Sequence, residues 1–147
     1  MKKQIMRMLT VVLIFCLSIV PISQVSAAMP EEIMPMYNNV NSAITNMSIS
    51  DSGLMTISYK YNGYSSVTTR GVVTTYIEKR TLGLFWTRVN NGQPNNEWVD
   101  TIEYYKYVGT RNYQLSSTGT YRVTVKYEIY GTGGSADVID YQAQDTY

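Results

Sequence analysis

The residue types that usually act as catalytic nucleophiles and bases are almost absent from this chain. Its 147 residues include no histidine, and its single cysteine, Cys16, lies in an apolar stretch near the N-terminus. A Ser-His-Asp or Cys-His system needs a histidine as its base, and ordinary zinc sites use histidine or cysteine ligands. Any catalysis would therefore depend on carboxylates, and any metal site would have to hold a hard cation.

Three acidic residues recur at every third position of one segment, namely Glu97, Asp100 and Glu103. On a single strand Glu97 and Glu103 would share a face about 20 Å apart, while Asp100 would point the other way. Glycoside hydrolases need two carboxyl groups separated by about 5–9.5 Å. One strand does not supply such a pair, so we predict no catalytic residue and rank a carboxylate-based hydrolase third among the functions considered.

Two further acidic residues, Asp137 and Asp140, follow a glycine-rich loop at 131–135. Together with loop carbonyls they would offer oxygen ligands to calcium, although their spacing departs from the regular D-x-D-x-D-G pattern. The alternative is that they cap a turn and carry surface charge. Calcium is the one cofactor that the sequence suggests, and no other is predicted.

Tyrosine is the residue type in clear excess, with fourteen copies that all lie from Tyr37 onward. Its large amphipathic ring suits sugar stacking or protein recognition, and it also fills small cores when its hydroxyl reaches a polar partner. Strand parity assigns three tyrosines to the core, which are Tyr59, Tyr121 and Tyr127. The residues that we predict to form a binding surface are Trp98, Tyr105 and Tyr130.

The N-terminal segment has the order of a secretory signal peptide. Lys2, Lys3 and Arg7 precede an apolar run at 8–20, and the small residues of 25–28 follow. We predict cleavage after residue 27 or 28, secretion, and no membrane span after processing. Removing three of the twelve basic residues and none of the eleven acidic ones changes the net charge from +1 to −2, which argues against a nucleic-acid-binding protein.

Loss of this leader would also remove Cys16 and with it any disulfide. Secretion of a small disulfide-free domain fits a Gram-positive bacterium better than a eukaryotic extracellular space, where such domains are usually cross-linked. We therefore expect an extracellular protein of a Gram-positive bacterium. The predicted organisation is a signal peptide at 1–28, an extended lead-in at 29–42 and one domain at 43–147.

Apolar and polar residues alternate along several segments of the domain, which is the pattern of half-buried strands. Short strands joined by Gly, Asn and Ser turns predict an all-β fold, a single antiparallel immunoglobulin-like or fibronectin-like β-sandwich of about seven strands. We expect a bulge or bend within 98–108, a flexible loop at 131–135 and a last strand at 136–142. The predicted inward-facing residues are Met55, Ile57, Val73, Ile77, Val123, Val125 and Ile129.

Leu115, Gly119 and Tyr121 follow the order of a tyrosine corner. In that motif a tyrosine hydroxyl at the start of strand F bonds back to the backbone a few residues upstream. The alternative is that Tyr121 is simply a core aromatic residue. The spacing of Gly119, Thr120 and Tyr121 favours the corner.

Several short motifs resemble those of a family of short secreted Firmicutes proteins catalogued as a domain of unknown function. The resemblance implies secretion and a single immunoglobulin-like domain over nearly all of the processed chain, and it implies no catalytic residue. The motifs are Tyr37-Asn38-Asn39, Thr75 to Lys79 before Trp86, Gly119-Thr120-Tyr121-Arg122, Gly131-Thr132-Gly133-Gly134, Asp137-Val138-Ile139 and the terminal Tyr147.

Three functions are compatible with these features. We favour a secreted, non-enzymatic binding or cell-surface interaction module, because a rigid sandwich would carry surplus aromatic residues and no nucleophile set. Its partner would be a neutral glycan or a protein, since a near-neutral net charge disfavours tight binding to anionic polymers. A secreted toxin or bacteriocin-like effector is the alternative, and a carboxylate-based hydrolase comes third.

Overall fold

Alternating side chains favour strands here because a period of two places one set of residues on each face of a sheet. The computed structural model describes residues 37–147, in which eight strands and one short 3-10 helix at Pro94–Asn96 occur. The predicted signal peptide and residues 29–36 of the lead-in lie outside this range. The strands are β1 (Val40–Ile49), β2 (Leu54–Gly63), β3 (Thr68–Thr81), β4 (Phe85–Arg88), β5 (Trp98–Ile102), β6 (Lys106–Gln114), β7 (Thr120–Gly131) and β8 (Gly134–Thr146).

The strands form two antiparallel sheets that face each other as a sandwich. One sheet has the order β1-β2-β6, and the other has the order β4-β3-β7-β8, with β5 also pairing with β3. In immunoglobulin-like sandwiches strands B and E pair in one sheet while C, F and G form the other. Strands β2 and β6 correspond to B and E, and strands β3, β7 and β8 correspond to C, F and G. The predicted fold class is therefore confirmed.

Element boundaries differ from the prediction at four places. The last strand, predicted at 136–142, is β8 and extends over Gly134–Thr146. Strand β1 already begins at Val40, before the expected start at residue 43. The expected bend within 98–108 is a crossing at 103–105, which carries the chain from β5 in one sheet to β6 in the other. The segment at 131–135 is a tight turn in which Gly131 lies opposite Gly134, because glycines suit short hairpin connections as well as flexible loops.

The core lies between the inner faces of the two sheets. All seven residues predicted to face inward are buried, and so are Tyr59, Tyr121 and Tyr127. The Tyr127 hydroxyl donates to the carbonyl oxygen of Ile44 at 2.8 Å, and the Tyr61 hydroxyl donates to that of Tyr104 at 2.8 Å. These bonds offset the cost of burying the hydroxyl groups, and the bond from Tyr127 in β7 to Ile44 in β1 connects the two sheets across the core.

The buried tyrosines make the fold sensitive to alkaline pH. Burial raises the pKa of Tyr61 to about 12 and that of Tyr127 to about 12, against an ordinary value of 10.0. Because the folded state favours the protonated ring, stability is complete below about pH 10 and falls as the pH rises towards about 12. We expect both tyrosines to contribute to this loss of stability over that range.

Tyrosinate absorbance recorded together with near-ultraviolet circular dichroism measures this effect. The buried rings should ionise only as the dichroism of the folded core disappears. Complete ionisation of all fourteen tyrosines with the dichroism unchanged would contradict the burial argument.

The predicted corner hydrogen bond is present at the start of β7. The Tyr121 hydroxyl donates to the carbonyl oxygen of Ser117 at 2.6 Å. Leu115 is buried nearby, and its amide donates to the carbonyl oxygen of Gly53 at 2.9 Å. Gly119 has a φ of +148° and exchanges two backbone hydrogen bonds with Tyr147, so this connection is tied to both sheets and to the C-terminal residue.

Candidate functional site

The three aromatic residues predicted to form a binding surface are not brought together. Trp98 lies on the inner face of β5, packs against the core and meets the Tyr113 ring at 6.0 Å. Tyr130 lies on the outer face of β7, and Tyr105 lies in the connection between β5 and β6. Because pairing with β3 sets the parity of β5, Trp98 turns inward, and the three side chains share no common platform.

Aromatic side chains on the outer face of the larger sheet are covered by arginines of the same sheet. Glu78 and Glu97 hold two of these arginines in salt bridges of 2.7 and 2.8 Å. Stacking of this kind satisfies both partners within the domain, so these aromatic rings are only partly open to a ligand. The pairs are Arg70 with Tyr130 at 4.3 Å, Arg88 with Tyr76 at 3.3 Å and Arg122 with Trp86 at 4.4 Å.

The acidic residues at 97–103 do not form a catalytic pair. Asp100 points between the sheets, where one oxygen accepts from the Tyr59 hydroxyl at 2.6 Å and the other pairs with Arg111. Burial alone would lower the pKa of Arg111, but Tyr59 and Asp100 outweigh it and raise that pKa. Glu97 is bound to Arg88. The Asp100 cluster therefore reads as an internal polar link between the sheets.

Asp137 and Asp140 project from opposite faces of β8, because three positions separate them on a strand. Asp137 is buried and accepts hydrogen bonds from the backbone amides of Asn38, Asn39 and Val40 at 3.2, 2.6 and 3.0 Å. The two carboxylates do not share a calcium site, which corrects the suggestion from their spacing. Within residues 37–147 no cluster of three potential metal-ligating side chains occurs.

The turn between β3 and β4 presents three large apolar side chains to solvent. Leu82 is 85% exposed, Leu84 is 76% exposed and Phe85 is 63% exposed. We call residues 82–85 the hairpin tip. No other part of the described chain gathers three such side chains in four consecutive positions, and isolated exposed apolar residues are ordinary whereas clusters mark contact sites.

The backbone of the hairpin tip makes Leu82 an unusual choice. Leu82 has a φ of +52° and Gly83 a φ of +69°, and the Leu84 amide closes the turn onto Thr81 at 3.1 Å. A turn with two positive φ values favours Asn-Gly or Gly-Gly. A left-handed conformation costs about 1 kcal/mol in a residue such as leucine. Leu82 therefore serves neither the turn nor the core, and such departures from local preference gather at functional sites.

The strands that carry the hairpin tip have an excess of positive charge at that end. Lys79 donates to the Ser117 side chain at 2.6 Å and Arg80 is exposed, and neither forms a salt bridge with a carboxylate of residues 37–147. Four basic residues stand against three acidic ones here, which leaves one positive charge in excess. The basic residues are Lys79, Arg80, Arg88 and Arg122, and the acidic ones are Glu78, Glu97 and Asp145.

A groove with a volume of about 390 Å³ opens at the opposite end of the sandwich. It lies along the ends of β2 and β6 and the connection that precedes β6, with the rings of Tyr61, Tyr104 and Tyr107 among its walls. Lys60 and Lys106 stand at its rim. The groove is a second open surface. None of the residues that line it has a positive φ, so its backbone shows no unfavourable conformation like that of Leu82.

Comparison with known proteins leaves the family of this chain open. No protein-family model matches the chain, and no curated protein matches it. The resemblance to short secreted Firmicutes proteins stays a prediction. Among residues 37–147, none of the helical segments has the length and apolar character needed to cross a membrane.

Proposed function

We propose that this protein is a secreted, non-enzymatic binding module that contacts its partner through the hairpin tip. The observation that carries the proposal is Leu82, an almost fully exposed apolar side chain at a turn position that favours asparagine or glycine. Leu84 and Phe85 are further exposed apolar side chains of the hairpin tip. Each such side chain contributes about 1.5–3 kcal/mol when a partner buries it fully.

Secretion is the part of this proposal that rests on the leader. Residues 1–28 combine basic, apolar and small-residue regions in the order of a signal peptide. The single cysteine lies within that leader, so the processed chain would need no oxidative folding. Both features suit an extracellular protein of a Gram-positive bacterium.

The nature of the tip favours an apolar partner over a neutral glycan. Sugar rings are bound by stacking on open aromatic faces, and Trp98, Tyr105 and Tyr130 do not combine into such a platform. The tip offers two leucines and a phenylalanine without a hydrogen-bonding group among their side chains. A protein or lipid surface matches this chemistry better than a hydroxyl-rich ligand does.

An effector that acts on neighbouring cells is the second candidate, and the same tip is the observation that favours it. Apolar side chains at a turn beside basic residues suit contact with a cell surface. A hydrolase gains no such support, because Glu97 and Asp100 are both engaged in ion pairs.

Leu82→Asn tests the proposed contact surface. Asparagine suits the turn and removes the exposed apolar side chain, so binding should weaken at least about tenfold, the change that about 1.4 kcal/mol produces. The measurement is binding of the processed protein to whole cells, cell-wall fractions and membrane fractions. Val108→Thr is the matched control, because Val108 is 76% exposed on the other sheet, away from the tip.

Growth of neighbouring strains is scored in the same samples. Inhibition that disappears with Leu82→Asn would favour the effector. Binding by Leu82→Asn that equals binding by the unmodified protein would remove the hairpin tip as the contact surface.

A further inference from the structure

The hairpin tip presents its exposed apolar side chains in a way that suits insertion into a deformable surface. Its side chains stand on a turn that joins β3 to the four-residue strand β4, and β3 continues from the tip into the centre of the larger sheet. The apolar side chains of such a turn are removed from water most completely when the turn enters a fluid apolar medium that surrounds them on all sides.

Positive charge lies directly behind the apolar side chains. Lys79 and Arg80 precede the tip in β3 and form no salt bridge with a carboxylate of the described residues. Of the acidic residues at this end, Glu78 is bound to Arg122, and Asp145 of β8 lies opposite Tyr121, the residue that pairs with Lys79. Basic side chains beside inserted apolar ones attract anionic lipid headgroups over about one Debye length.

From these two features we infer that the partner of the hairpin tip is a bilayer surface that contains anionic lipid. The inference rests on the proposed function and names its partner class. Leu82, Leu84 and Phe85 enter the boundary between headgroups and acyl chains, while Lys79 and Arg80 remain at the level of the headgroups.

The contact is reversible and needs both contributions. A single short apolar element binds a bilayer only marginally, and stable attachment requires a second signal such as a basic patch. The domain as a whole is close to neutral, so its net charge does not reveal the basic surface beside the tip. A protein partner with an apolar pocket is the competing explanation, but a pocket for three side chains would not need an exposed arginine such as Arg80 beside it.

Co-sedimentation with vesicles tests this inference. The processed protein is mixed with vesicles of equal parts phosphatidylcholine and phosphatidylglycerol, and separately with vesicles of phosphatidylcholine alone. We expect binding to the anionic vesicles, at least tenfold weaker binding to the neutral ones, and loss of binding as the ionic strength rises from about 0.01 M to about 1 M.

Two variants and two matched controls locate the contact. Leu82→Asn should weaken binding to anionic vesicles at least tenfold, and Arg80→Gln should weaken it about fivefold. Val108→Thr and Lys60→Gln remove an exposed apolar group and an exposed charge on the other sheet, and they should leave binding unchanged. Thermal melts of all four proteins verify that each is folded.

The outcomes separate this inference from the proposed function. Failure to bind any vesicle, while binding to cell fractions still depends on Leu82, would overturn the bilayer as partner and leave the hairpin tip as a protein-binding surface. Equal binding to neutral and anionic vesicles would overturn the role of anionic lipid. Vesicle binding that Leu82→Asn does not weaken would overturn both proposals.

Discussion

Replacing Asp137 by alanine is expected to lower the free energy of unfolding by about 3–5 kcal/mol. Its buried carboxylate accepts three backbone hydrogen bonds from Asn38, Asn39 and Val40. Loss of the acceptor leaves buried amides without partners, at a cost of about 1–3 kcal/mol for each such group. For a small domain with a total stability of about 5–15 kcal/mol this is a large share.

Denaturant unfolding measures the effect, and Asp140→Ala is the matched control. Asp140 is exposed on the outer face of the same strand, so its removal should change stability by less than about 0.5 kcal/mol. Thermal melts with and without added calcium decide between an internal link and a calcium site. Equal stability of the two variants, or a calcium-dependent rise in melting temperature that only Asp137→Ala loses, would contradict the role as an internal link.

Replacing Tyr121 by alanine is expected to lower stability by a similar amount, about 3–5 kcal/mol, because a buried aromatic side chain leaves a cavity when it is removed. Tyr121→Phe should cost only about 1 kcal/mol. It keeps the ring and removes the 2.6 Å hydrogen bond to the Ser117 carbonyl. The ratio between the two variants separates packing of the ring from the corner hydrogen bond.

Urea unfolding of both Tyr121 variants provides the comparison. A loss of several kcal/mol for both would show that the hydroxyl matters as much as the ring. No loss for either would remove the corner from the account of stability.

Much of the fold could be predicted because half-buried strands show a regular alternation of apolar and polar residues in the sequence. Met55 and Ile57 alternate with polar residues, and so do Val123 and Val125, since one face of each strand meets the other sheet. The corner residue Tyr121 could be recognised from its spacing to Gly119. These signals are local, and local signals can be read without knowing which strands pair.

The position of the aromatic residues could not be predicted, because it depends on pairing between distant segments. Trp98 faces inward only because β5 pairs with β3, with Trp98 opposite Thr75. The tight packing of Arg70 on Tyr130 likewise requires that β3 and β7 are neighbours. Counting alternate positions along one strand fixes its two faces but does not say which face is inside.

The hairpin tip could not be predicted from strand alternation for a different reason. Gly83 indicates a break between two strands, but a break alone does not show that its neighbours are exposed. The available signal was the apolar composition of the turn itself, since Leu82 and Leu84 flank Gly83 where polar residues are expected. The φ of +52° at Leu82 strengthens that signal, because leucine is disfavoured in the left-handed conformation that this turn requires.

The most direct test of the central claim is to measure stability and binding on the same Leu82→Asn protein. If Leu82 is present for contact rather than for folding, the variant should unfold with a free energy about 1 kcal/mol higher, because asparagine tolerates the left-handed turn better. The same protein should bind cell fractions at least about tenfold more weakly. A variant that is less stable than the unmodified protein, or one that binds equally well, would contradict the claim that the hairpin tip is a contact surface.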